Sequence, residues 1–332
     1  MHRALTVTGC GILLHMKILE REIRPSGHRV YRLAGKKILS MKCRKVVSVR
    51  RTGAPVLVIR REGDCAGLFC HFNHNLGWMR WAKERGYRFY VDLRAPSTIF
   101  TREQPISFNP WDLFFKQECD AIDVACAKKV LMTEHKFMPP SFPGVMLDLY
   151  DQSNPEFLGW RDFVQKHIRL SDNMAGLAER RHAELFGDER RILGCLVRGT
   201  DYLAVRPKNH PIQPDPAQVV ADARRLCEER NLKKVFLATE DRSVRELFTR
   251  NFGSDLITAQ DDLPDYSCDL LANSGALGDL TRTLNITTEY LLSVILLSRC
   301  PCFLAGCVSG SMGAALLSRG FEHVHFYRLG YY

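Results

Sequence analysis

The segment Arg198-Gly199-Thr200-Asp201 directly follows the apolar run 192–197. A guanidinium carries a fixed fork of N–H donors that matches phosphate oxygens. Gly199 lets backbone come close to a ligand, and Asp201 either holds the arginine or accepts from the ligand. An Arg–Asp pair bracing a turn is the structural alternative. Thr239-Glu240-Asp241 puts a hydroxyl and two carboxylates after a second apolar run, 234–238. Carboxylates there suit ribose hydroxyls, or the ring N–H and amino group of a purine. Thr239 or Asp241 equally suits the N-cap of a following helix. Ser309-Gly310-Ser311 opens a third helical stretch. Hydroxyls and backbone N–H groups at a helix start form an anion site; an ordinary capped start is the alternative. Glu62 and Gly63-Asp64-Cys65-Ala66-Gly67 follow the run 56–59, with His71 and His74 just beyond. Each histidine touches a phosphate or an acceptor, or else sits at the surface or at a cap.

These segments recur at one place in a repeated pattern. The β-branched run 56–59, the helical stretch 68–85 closed by Gly86, and the run 88–93 form one βαβ unit. Asn109-Pro110-Trp111 opens another helix with proline at a favourable first position. Helices are expected over 156–167 and 171–186. A second series then alternates strands at 192–197, 234–238, 255–258 and 302–305 with helices at 217–229, 242–252, 287–299 and 311–319. Such alternation implies parallel sheets with helices on both faces. Ligands of open α/β sheets bind beyond the carboxyl ends of the strands. That rule selects the loops 61–71, 198–202, 239–243 and 306–311. The expectation is two Rossmann-like halves facing a cleft: a basic extension over 1–54, a first domain over 55–188 and a second over 189–332.

The chain has 332 residues, 45% hydrophobic and 25% charged, which excludes global disorder, collagen and coiled coil. Lys and Arg number 47 against 37 Asp and Glu, a net charge of +10. That excess suits a phosphate-bearing partner: a nucleotide, a nucleic acid or an anionic membrane surface. No helix-turn-helix, zinc-finger or RRM signature supports nucleic acid. Neither GxGxxG nor GxxxxGK[ST] occurs, against NAD enzymes and P-loop kinases. Residues 17–51 are rich in Lys and Arg and suit docking on an anionic membrane; a solvated extension is the alternative. The twelve cysteines lack any CxxC pair, so they are read as reduced, largely buried thiols of a cytoplasmic protein, with no metal site. No stretch has the length of a membrane span, and the N-terminus lacks the form of a signal peptide.

The set of motifs resembles the GDP-fucose-dependent fucosyltransferase superfamily, which includes α-1,6-fucosyltransferases, protein O-fucosyltransferases and bacterial nodulation fucosyltransferases. The segment 196–202, Leu-Val-Arg-Gly-Thr-Asp-Tyr, is similar to its first motif, 237–241 to its second, and 303–317 to its third. Segments 64–69 and 86–92 look like its first βαβ unit, and Asn109-Pro110-Trp111 fits bacterial members. The ordered likeness covers about residues 55–330. It implies a GT-B-like α/β fold and inverting, metal-independent sugar transfer, with GDP-fucose as substrate and no cofactor. Carried over, Arg198 binds the departing β-phosphate, Asp241 contacts the guanosine, and Ser309, Gly310 and Ser311 line the phosphates. The loop Gly63 to Gly67 closes over the donor. Thr200, Thr239, Glu240 and His71 complete the donor set; Asp201, Glu62 and Asp64 join Arg198 as catalytic candidates. Many members carry a histidine two residues before the motif arginine; here Leu196 stands there. Another nucleotide sugar therefore stays open. The acceptor implied is a surface polysaccharide or lipid-linked glycan, met in the cytoplasm or at the inner face of the membrane. A non-catalytic nucleotide- or carbohydrate-binding relative, and a nucleic-acid binder, are the competing readings.

Overall fold

The structure is a computed structural model. It describes residues 53–332 except 62–66, 96–97, 102–105, 134–137, 145–146, 200–201, 203–205 and 260–278, together with three earlier strands. These strands, β1 (Glu20–Ile23), β2 (Arg29–Leu33) and β3 (Lys36–Lys37), pair antiparallel in that order. The remainder of the basic stretch 17–51 lies outside the described residues.

The first α/β half contains β4 (Val56–Arg60), α1 (Leu68–Glu84), β5 (Arg88–Asp92), α2 (Pro110–Phe114), α3 (Ala121–Cys126) and β6 (Val130–Met132). Its parallel sheet runs β5-β4-β6. Helices α4 (Pro155–His167) and α5 (Asp172–Phe186) follow. Asn154 and Ser171 cap them, each accepting a backbone N–H of the first turn. The second half contains β7 (Ile192–Leu196), α6 (Pro216–Arg230), β8 (Lys234–Ala238), α7 (Arg242–Phe252), β9 (Leu256–Thr258), α8 (Leu280–Leu297), β10 (Cys302–Gly306), α9 (Ser309–Leu317) and β11 (His323–Tyr327). Its five strands are all parallel, in the order β11-β10-β7-β8-β9. Counted within the half, that is the third, second, first, fourth and fifth strand read from the β9 edge. It is the doubly wound order, whose reversal point lies between β7 and β10.

The two halves share one apolar core. Leu57, Phe69 and Phe72 of the first half, Trp160 of α4, and Leu296, Phe303, Met312 and Leu316 of the second belong to the same buried cluster. A smaller cluster, with Leu193, Val219, Leu237 and Phe248, fills the other face of the second sheet beneath α6 and α7. Helices α4 and α5 pack on α9 and α8 respectively, so the linking segment is itself part of the junction.

Most expected elements are present within a few residues. Helix α8 starts at Leu280 rather than near 287. Its first turns hold Thr283, Ile286, Thr287 and Thr288, branched residues that argue against helix. The Asp279 carboxylate caps it, accepting from Arg282 N–H at 2.9 Å, and Thr283 and Thr287 are buried. Helix α9 begins at Ser309 rather than 311. Strands β6 and β11 were not anticipated: β6 has three residues, and β11 interleaves two histidines with its apolar positions.

Candidate functional site

Strand register assembles the site. Leu196 of β7 lies opposite Ala305 of β10 on one side and Ala238 of β8 on the other. The segments that follow these three strands therefore emerge side by side at the carboxyl edge of the sheet, at its reversal point. They carry Arg198, Thr239-Glu240-Asp241 and Ser309-Gly310-Ser311.

Arg198 is held from two sides. Its Nε lies 3.3 Å from Glu240 Oε1, with side-chain exposures of only 12% and 14%. Its guanidinium carbon sits 5.1 Å from the centre of the Tyr202 ring, a favourable cation–π distance. The same Glu240 oxygen accepts the Gly199 N–H at 2.9 Å. One carboxylate thus fixes both the arginine and the backbone after it. A methyl group on Gly199 would collide with the Asp241 carboxylate. The glycine therefore serves the packing of two motif loops against each other.

Asp241 is the N-cap of α7. Its Oδ1 accepts from Ser243 N–H at 2.7 Å, Ser243 Oγ–H at 2.6 Å and Val244 N–H at 3.2 Å, and the residue is 6% exposed. Thr239 Oγ1 accepts the Asp241 N–H at 3.1 Å. The capping role weighed from the sequence is present.

At the start of α9, Ser311 is fully buried. Its hydroxyl donates to Gly306 O at 2.7 Å and accepts the Val308 N–H at 2.9 Å. The hydroxyl thereby closes the turn between β10 and α9. Ser309 is half-buried, and Gly310 is buried beneath the Tyr290 hydroxyl and the Leu196 side chain. The first half holds this turn too. Asn73 Nδ2 donates to Ser309 O at 3.3 Å, and Tyr150 Oη donates to Val308 O at 2.7 Å. Burial raises the Tyr150 phenol well above its usual range, so it stays a neutral donor.

His71 and His74 are 0% and 4% exposed, inside the first turns of α1, whose N-cap is the exposed Gly67. They are neither surface nor capping residues. Glu62, Gly63, Asp64, Cys65, Ala66, Thr200 and Asp201 lie outside the described residues. Sequence reasoning missed Tyr202 as the ring beneath Arg198, Tyr150 as a brace, and Asn73 as the tie from α1. Tyr202 was legible as a neighbour four residues on; the other two act over long separations and leave no local signal. Among the described residues, no group of three His, Cys, Asp or Glu side chains is placed to hold a metal ion. No helix among them is long and apolar enough to cross a membrane. All eight described cysteines are free thiols.

No family model and no curated protein matches the chain. Among solved structures, it is similar to NodZ α-1,6-fucosyltransferase soaked with GDP-fucose, at 16% identity and TM-score 0.46, over 80% of this chain and 93% of that one. Fucosyltransferase NodZ from Bradyrhizobium gives 16% identity and TM-score 0.45, over 80% and 94%. POFUT1 in complex with GDP gives 10% identity and TM-score 0.49, over 83% and 98%. These are distant likenesses.

Proposed function

We propose that the protein is a glycosyltransferase that moves a sugar from a nucleoside diphosphate donor, GDP-fucose first among them, to a hydroxyl of a carbohydrate acceptor. One observation carries this reading. A preset arginine, clamped by Glu240 and backed by Tyr202, stands at the reversal point of a doubly wound sheet, beside the start of a helix. That is the place where such sheets bind nucleotides, and helix starts favour phosphate. The ordered motifs at 196–202, 237–241 and 303–317 support fucose as the sugar.

In the reaction, the acceptor oxygen bonds to the anomeric carbon as the bond from that carbon to the β-phosphate oxygen breaks. The electron pair leaves with the diphosphate. Back-side attack inverts the centre. Charge grows on the diphosphate in the transition state, and a fixed guanidinium stabilises it more there than in the ground state. The acceptor proton passes to a base drawn from Glu62, Asp64 or His71. The reading includes transfer without a metal, in the cytoplasm or on its membrane face.

Calorimetric titration with GDP, UDP and CDP in EDTA tests it. GDP is expected to bind selectively, with affinity lowered in Arg198→Ala and the transfer rate down by about 10²–10³. UDP or CDP binding instead keeps the transferase and discards fucose. Absence of any nucleotide binding overturns the reading.

A further inference from the structure

The start of α9 has one hydroxyl fewer for a ligand than its sequence suggests. Ser311 is fully buried, and its hydroxyl donates to Gly306 O at 2.7 Å and accepts the Val308 N–H at 2.9 Å. That hydroxyl is spent inside the turn. Tyr150 Oη is spent in the same way on Val308 O, at 2.7 Å. Gly310, the second residue of the helix, has no side chain of its own. The space where a methyl group on it would stand is filled from outside, by the Tyr290 hydroxyl of α8. The Leu196 side chain, at the end of β7, borders the same space and carries no polar atom.

The Tyr290 ring is held for this placement. It meets Phe69 of α1 edge-on, with centroids 5.6 Å apart and planes at 89°. Aromatic pairs favour that arrangement. Phe69 is itself fixed, buried against Gly313 so closely that a methyl group there would collide with it. Phe69 belongs to the first half and Gly310 to the second, so Tyr290 stands where the two halves meet, at the carboxyl edge of the second sheet. Tyr290 is half-buried. Phenylalanine would serve packing alone. The hydroxyl adds a polar atom beside the first N–H groups of α9, where a helix favours negative charge.

We propose that Tyr290 is a ligand-binding residue of the donor site: its hydroxyl donates to a non-bridging oxygen of the donor's diphosphate, beside the α9 start. The inference rests on the glycosyl-transfer reading above. A phenol donates one O–H and accepts on its lone pairs at the same time, so the contact is compatible with other bonds of the hydroxyl. The tyrosines around the turn divide the work. Tyr202 gives Arg198 a ring face, Tyr150 ties Val308 O, and Tyr290 turns to the ligand. The guanidinium of Arg198 brings charge to the diphosphate. The phenol brings a directed donor with no charge of its own, and a hydrogen bond to an ionised acceptor is among the strong ones.

Calorimetric titration of the full chain with GDP, and saturation-transfer NMR with guanosine, compare wild type with Tyr290→Phe. The substitution keeps the ring against Phe69 and removes only the oxygen. GDP affinity is expected to fall about tenfold to a hundredfold, the loss of one hydrogen bond to a charged group, while guanosine binds both proteins alike. Equal GDP affinity overturns the proposal. So does an equal fall for GDP and guanosine, which assigns the hydroxyl to the shape of the site. Tyr290→3,5-difluorotyrosine is a second probe that keeps both ring and oxygen. Its phenol ionises well below the ~10 of tyrosine, and a phenolate cannot donate and repels phosphate. GDP affinity should therefore drop as pH rises through that ionisation, beyond any drop in wild type. A pH profile identical to that of wild type overturns the proposal. The two readings fail separately. Wild type that binds no nucleoside diphosphate overturns the donor site itself; wild type that binds GDP, with both variants equal to it, overturns only the role of Tyr290.

Discussion

Glu240 ties the arginine to the backbone that follows it. A single oxygen lies in ion-pair range of Arg198 Nε and accepts the Gly199 N–H. Breaking a well-buried ion pair costs about 3–5 kcal/mol, because a charge is left without its partner. Glu240→Gln keeps an acceptor for Gly199 but loses the charge, and both side chains retain a little exposure. We expect a loss of about 2–3 kcal/mol in unfolding free energy, below the range for a fully buried pair. Chemical denaturation measures it, and an unchanged midpoint would remove Glu240 from this role. The cysteines give a second test at this scale. Burial pushes the thiols of Cys119 and Cys307 up to about 12 and that of Cys227 up to about 11. Only the thiolate alkylates. At pH 8, iodoacetamide should label the exposed Cys126 well before Cys119 or Cys307. Rapid labelling of Cys119 or Cys307 would contradict the burial.

At the scale of elements, side chains finish what backbone leaves open. Strand β5 is an edge of the first sheet. Its outer groups are taken by side chains: Val91 N–H by Gln117 Oε1 at 3.0 Å, Phe89 N–H by Glu118 Oε2 at 3.3 Å, and Val91 O by Asn109 Nδ2 at 2.6 Å. An edge closed in this way offers no template for another strand. Asn109 also caps α2 and accepts the Leu93 N–H at 3.0 Å. Its place before Pro110 made the cap legible in the sequence. Its hold on β5 was not, because those partners lie 16 and 18 residues away. Asn109→Ala should therefore cost more than the ~1 kcal/mol of a cap alone, which thermal unfolding would show. The turn into α9 makes a parallel case. Ser311→Ala removes a buried hydroxyl that bonds Gly306 and Val308, a loss of about 1–3 kcal/mol. GDP affinity should change little in that variant, since the hydroxyl is spent inside the turn. A large fall in affinity at unchanged stability would assign Ser311 to the ligand directly.

At the scale of the molecule, the two halves behave as one body. They share a core, and Arg181 of α5 makes a two-pronged pair with Glu289 of α8 at 2.9 and 3.1 Å. Tyr150 and Asn73 pin the α9 turn from the first half. Calorimetry should therefore show one unfolding transition for residues 53–332, and two well-separated transitions would contradict the shared core.

The sequence by itself determined the alternation of strands and helices, the helix starts at Pro110 and Arg242, and the loops that carry the polar motifs. Those signals are local: branched apolar runs, caps and prolines act within a few residues. Tertiary structure decided the strand order, and with it the reversal between β7 and β10 that brings Arg198 beside the α9 start. It decided that Glu240 holds Arg198, that Asp241 caps α7 against Gly199, and that His71 and His74 point into a covered face of α1. It also kept α8 helical across its branched first turns. Each of these depends on pairings between residues distant in the chain, and the net result of many weak contacts in a shared core fixes them.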